Sequence, residues 1–311
     1  MIGYSALLGA VLIWALSYIV MKAAATEYPQ VLFQFWRYAA VAVLYSVCFH
    51  RSIKKIPFSL WRIGLLPYGL ANFVLSLFSI YAVQYTTPTR VVVINSLIIG
   101  VVPLLRWLHD GDKPVRVEKW AIVLALTGIA LLVEPKDSAL QLGDGLAFVG
   151  MLGYAYSIVI TNRMLLTERA SVIQVSFLAV AGCAVYFTVT ALVYAWFHPG
   201  GLALRPLLAQ PMTMAGVLYM VAFVSVAANL LQVFGQRRLP PVTVSILFCL
   251  EPAATAVLDY FLLGHAASVR VILCGILLVG ATIITTLPYK EATKREISMP
   301  GSEQTGAMGD H

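Results

Sequence analysis

Ten runs of mostly apolar residues follow one another along this 311-residue chain, separated by short breaks rich in charge, Pro or Gly. They fall at about 4–24, 30–49, 63–84, 90–107, 119–134, 143–162, 172–196, 213–236, 241–263 and 269–287. Each is close to the roughly 20 residues a helix needs to cross a bilayer core. In lipid a backbone must satisfy its own hydrogen bonds, so runs of this length read as helices. The expected fold class is therefore an all-α polytopic membrane protein. Composition excludes the rivals. Charged residues make up 11% and hydrophobic residues 60%, with a mean hydropathy of +0.86. A soluble domain carries about 25% charged residues, so a soluble enzyme is excluded. Disorder needs the opposite balance. The first run is a helix and not a signal peptide, because no small-residue cleavage site follows it and nine more runs do.

The net charge of +7 does not indicate nucleic acid, since Lys and Arg gather in the cytoplasmic loops of membrane proteins. With the N terminus inside, fifteen of the 21 Lys and Arg fall in the inner loops and tail, among them Arg51, Lys54, Lys55 and Lys294. Five fall outside: Lys22, Arg90, Lys136, Arg205 and Arg270. The remaining one, Arg37, lies within a span. Such a bias predicts a multi-pass protein of the cell (inner) membrane with both termini cytoplasmic. Residues 290–311, rich in Lys, Glu, Ser and Gly, read as a disordered cytoplasmic tail. The cysteines Cys48, Cys183, Cys249 and Cys274 each stand alone in apolar runs, without CxxC or Cys/His spacing. No metal or cofactor is expected from them. The chain lacks GxxxxGK[ST] and HExxH, so neither its own ATPase nor a metalloprotease is expected.

Ten runs divide into five and five. Sliding the chain by 140 places Gly3, Ala15 and Ser17 on Gly143, Ala155 and Ser157. Sliding by 152 places Gln84, Pro88, Val92 and Ile94 on Gln236, Pro240, Val244 and Ile246. The longer connection around 198–211 accounts for the difference. An odd number of spans per half turns the second half upside down, and the charges agree. The loop after span 2 carries Arg51, Lys54, Lys55 and Arg62, whereas its counterpart after span 7 carries only Arg205. Two inverted five-helix repeats are predicted, 1–137 and 138–289, with a substrate site where they meet.

Trp14, Lys22, Pro29 and Arg37 in spans 1 and 2, then Leu250-Glu251-Pro252 and Gly264 in span 9, resemble the drug/metabolite transporter superfamily, within it the EamA-like branch. The resemblance covers 3–287. It departs from the pattern at His265, and at Gly100 where the second half has Pro252. It implies two five-helix repeats, cytoplasmic termini and secondary transport of a small organic molecule. Amino acids, nucleosides and bases, cationic drugs and other metabolites are all within its range, with efflux frequent among bacterial relatives.

Two charges lie deep in spans, where they cost about 2.5–3.5 kcal/mol on insertion scales. Arg37 is about 10 Å into span 2 and Glu251 about 15 Å into span 9, at 1.5 Å per residue. Arg37 either holds a substrate carboxylate or snorkels outward. Glu251 either takes up a proton or holds a cationic group, or it packs beside Pro252. Asn72, Asn95, Asn229 and Gln232 serve the pathway or bond between helices. Trp14, Tyr18 and Tyr154 line a cavity or pack. Gln84, Pro88, Gln236 and Pro240 mark hinges or gates. The expected function is a secondary active transporter of an amino-acid-like metabolite working by alternating access, with efflux and proton coupling. The alternatives are an exporter of cationic drugs or nucleoside-like compounds, or a scaffold or channel subunit. The expected partners are a small-molecule substrate, the lipid bilayer and protons, with no nucleic acid; the oligomeric state stays open.

Overall fold

The computed structural model describes residues 2–24, 28–111, 113, 115–132, 141–166, 168–198, 202, 205–263 and 269–298. Every regular element among them is helical. Seven helical segments are long and apolar enough to cross a membrane. These are α1 (Ile2–Ala24), α2 (Gln30–Cys48), α3 (Phe58–Tyr85), α4 (Pro88–Asn95 and Ile98–Asp110), α6 (Leu142–Leu166), α7 (Val172–Phe197) and α8 (Pro211–Gln236). Three further helices complete the ten: α5 (Arg116–Leu132), the interrupted α9 (Pro241–Phe248 and Glu251–Leu263) and α10 (Val269–Ser298). Leu12, Val47, Leu192 and Ile276 are exposed on the outside of the bundle. A surface of that kind suits lipid and not water.

Helix α10 continues through 290–298, where the sequence predicts the start of the tail. Lys290, Glu291, Ala292, Lys294 and Arg295 are strong helix formers, which extends the apolar helix past Pro288. Residues 299–311 of that tail, and Gly264 and His265, lie outside the described residues.

Helices α4 and α9 are each interrupted, a feature the apolar runs do not announce. In α9 the break precedes Pro252, which has no N–H to continue the ladder. In α4 the Ser96 hydroxyl donates to Val92 O at 3.0 Å, and tight i→i+3 bonds close the turn at Leu97 and Ile99. The two breaks touch, since Cys249 Sγ lies 3.2 Å from Ser96 O. Helices α3 and α8 also correspond. Each widens into π-helical turns, Gly64–Tyr68 around Pro67 and Met220–Ala228.

The packing carries the repeat. Helix α1 lies along α8 and α6 along α3, while α2 pairs with α7, α4 with α9 and α5 with α10. Exchanging the two halves maps this set of pairs onto itself. Residue contacts follow the register of the sequence. A Cβ on Gly3 would stand 3.2 Å from Arg238 Cβ, and one on Gly143, its counterpart, 2.7 Å from Thr86 Cβ. Ser17 Oγ donates to Trp14 O at 2.7 Å, and Ser157 Oγ to Tyr154 O at 2.8 Å. The chain is thus a ten-helix polytopic membrane protein built from two inverted five-helix repeats.

Candidate functional site

Between the halves lies a cavity of about 130 Å³ lined by residues of α1, α2, α3, α6, α7, α8 and α9. Eight residues that the sequence singles out line it: Trp14, Tyr18, Arg37, Asn72, Tyr154, Asn229, Gln232 and Glu251. Asn95 stands behind that wall, donating from Nδ2 to Tyr18 Oη at 2.7 Å. Asn72 bonds back to Tyr68 O in its own helix, and Asn229 reaches Ser176 O of α7 at a long 3.5 Å.

Arg37 is 6% exposed and turned into the bundle, so it does not snorkel. Its Nε donates to Ser225 Oγ of α8 at 2.8 Å and one Nη to Gln34 Oε1 at 3.1 Å. Gln34 is itself held, its Nε2 donating to Ser76 O of α3 at 2.9 Å. The guanidinium also stands 4.8 Å from the centre of the Tyr38 ring. Glu251 is 3% exposed, and its Oε1 is buried without a hydrogen-bond partner among the described residues. It opens the second half of α9, where helix N-terminal N–H groups favour a negative charge. Tyr18 and Tyr154 lie within electrostatic range of it. Arg37 and Glu251 form no ion pair with each other or with another described residue.

Trp14 and Tyr154 make an aromatic part of the wall, with Phe248 packed behind them. Trp14 meets Phe248 edge-on at 5.0 Å and Tyr154 edge-on at 6.0 Å, while Tyr154 and Phe248 stack at 5.6 Å. Such a wall suits an apolar group or a cation. The gate candidates divide. Gln84 is exposed at the end of α3. Gln236, its counterpart in α8, is 1% exposed with neither amide atom partnered among the described residues. Helix α4 starts at Pro88, and Pro240 caps α9. Both prolines therefore sit at a sharp turn between helices, apart from the cavity lining.

Sequence reasoning does not single out Gln34, Ser76 and Ser225. The spacing of Gln34, three residues before Arg37 on one helix face, is a usable signal. For Ser76 and Ser225 no local signal exists, because serine is an ordinary helix-packing residue in membranes.

A model of the EamA-like transporter family matches residues 1–134 and, a second time, 141–287. No curated protein matches the chain. A crystal structure described only as that of a protein is similar, with a TM-score of 0.71 at 16% identity, covering 93% of this chain and 98% of the other. At that identity the likeness carries the fold alone.

Proposed function

The chain belongs to the EamA-like transporter family, and on that premise we propose that it is a secondary active transporter of an amino-acid-like metabolite, working by alternating access with efflux and proton coupling. A transporter role follows from the family; substrate, direction and coupling are our reading. It rests on one observation. A single cavity holds a buried guanidinium from the first half and a buried carboxyl from the second, unpaired with each other. In the mechanism, Arg37 holds the substrate carboxylate. Glu251 alternates between binding a proton and facing the substrate ammonium. Trp14 and Tyr154 take the apolar part, and the remaining amides and hydroxyls complete the wall. Residues 1–137 and 138–289 act as the two moving bodies. The cell membrane, with both termini in the cytoplasm, is the proposed location, and the bias of Lys and Arg supports it.

Uptake into proteoliposomes of the purified protein tests the proposal, after a thermal-shift screen of metabolites has named ligands. Saturable counterflow of amino acids, driven further by a pH gradient, supports it. Transport of cationic drugs or nucleosides alone would overturn the substrate. Absence of any transport would favour a scaffold.

A further inference from the structure

Arg37 does not hang freely in the cavity; it is clamped. A guanidinium presents five N–H donors in a rigid planar fork. The Nε–H goes to Ser225 Oγ at 2.8 Å, and one Nη goes to Gln34 Oε1 at 3.1 Å. Gln34 cannot swing away, because its amide nitrogen is tied to Ser76 O at 2.9 Å. The Ser76 hydroxyl in turn meets Tyr38 Oη at 2.5 Å. Gln34, Arg37 and Ser225 are 0%, 6% and 3% exposed, and all three line the cavity. Two flanks of the fork are therefore held by neutral oxygens, and no carboxylate of the described residues neutralises it.

We infer that Gln34 and Ser225 are positioning residues that present the free end of the Arg37 fork to a substrate carboxylate, and that Ser225 ties this recognition to the arrangement of the two halves. The inference rests on the carboxylate role proposed for Arg37. Neutral oxygens orient a guanidinium without cancelling its charge, which an acidic partner would do. A carboxylate then meets two parallel N–H groups, the arrangement that distinguishes Arg from Lys. Gln34 and Ser76 belong to the first half, in α2 and α3, whereas Ser225 lies in the π-helical stretch of α8, in the second. When the halves separate, the Ser225 bond is the one that must break, and the fork loses its fixed direction.

The test compares carboxylated and decarboxylated probes on the full-length purified protein: L-leucine with 3-methylbutylamine, and L-phenylalanine with phenethylamine. Ser225→Ala removes one acceptor from a charged donor, a loss of about tenfold to a hundredfold in affinity. The loss is expected for the acids and not for the amines, as a rise in KM with the maximal rate held. Ser225→Thr, which keeps the hydroxyl, restores the preference. Should the alanine variant not fold, Ser225→Cys, with nearly the same volume and a weak acceptor, is read by the same ratio. Equal losses for acid and amine at normal melting temperature overturn the inference, as does an unchanged ratio. A wild-type protein with no preference for the acids overturns it together with the reading it rests on. A wild-type preference that survives Ser225→Ala, the unchanged ratio, overturns the inference while leaving the carboxylate role of Arg37 standing.

Discussion

Arg37 and Glu251 differ in what each can exchange, and their substitutions separate accordingly. A guanidinium is a fixed positive group, whereas a carboxyl can pick up and release a proton during a cycle. Glu251→Gln keeps the shape and removes that exchange. Accumulation driven by a pH gradient should be lost while counterflow of substrate persists, as measured in proteoliposomes; full accumulation in this variant would assign Glu251 to packing. Arg37→Lys keeps the charge but puts its three donors on one nitrogen, so it cannot hold Ser225 and Gln34 and still offer a carboxylate two parallel N–H groups. Affinity for amino acids should fall about tenfold or more, with their amines nearly unaffected, as calorimetry on both would read. These two residues were legible in the sequence because a charge inside an apolar run is costly and therefore conspicuous. The clamp around Arg37 was not. Ser225 lies 188 positions away, and nothing in a helix of small and apolar residues says which serine will face an arginine across the bundle.

Helix crossings show the same division between periodicity and contact. The ten helices were legible because bilayer thickness fixes the length of an apolar run, and the register of the halves because Gln and Pro are scarce enough to align. The break in α9 follows from Pro252. The break in α4 has no proline at the matching place, and depends on the Ser96 side chain and on meeting Cys249 where α9 crosses. Such a feature exists only in three dimensions. Where α3 passes α7, Gly69 and Gly182 leave no room: a Cβ on Gly182 would stand 2.3 Å from Gly69 Cα. Because the obstructing atom is backbone, it cannot rotate away. Gly182→Ala should destabilise by roughly 1–3 kcal/mol, the usual cost of overpacking, seen as a lower melting temperature in detergent. Gly145→Ala in α6, where a Cβ meets nothing within 4 Å, is the control. It should hold or raise the melting temperature, since alanine costs less backbone entropy in a helix. Equal behaviour of the two variants would mean that α3 and α7 are not in close contact.

At the scale of the whole molecule the two ends of the bundle are not equivalent, although the repeat would make them so. At one end α6 begins beside the turn from α3 to α4. Asp144 there accepts from Arg90 through both oxygens, from Thr86 Oγ1 at 3.1 Å and from the Gln141 N–H at 2.9 Å. Arg90 and Thr86 belong to the first half and Asp144 to the second, so this ion pair crosses between the two halves proposed to move. At the other end the repeat puts Tyr4 in place of Asp144 and Val242 in place of Arg90. The Arg90–Asp144 pair thus has no equivalent charge pair at the matching positions of the other end. In the orientation proposed above, the end that carries this pair faces outward. Exposed ion pairs contribute little, about 0–1 kcal/mol, but Asp144 is 6% exposed and fully engaged, so losing its charge should shift the balance between open and closed states severalfold. A single cysteine at Met21→Cys, with Cys48, Cys183, Cys249 and Cys274 replaced, reports on this from within the cavity. An impermeant thiol reagent added outside should label it several times faster in Asp144→Asn, and Arg90→Asp combined with Asp144→Arg should slow labelling again. Unchanged labelling in the single variant would make the pair static packing, and alternating access would have to close this end by other contacts.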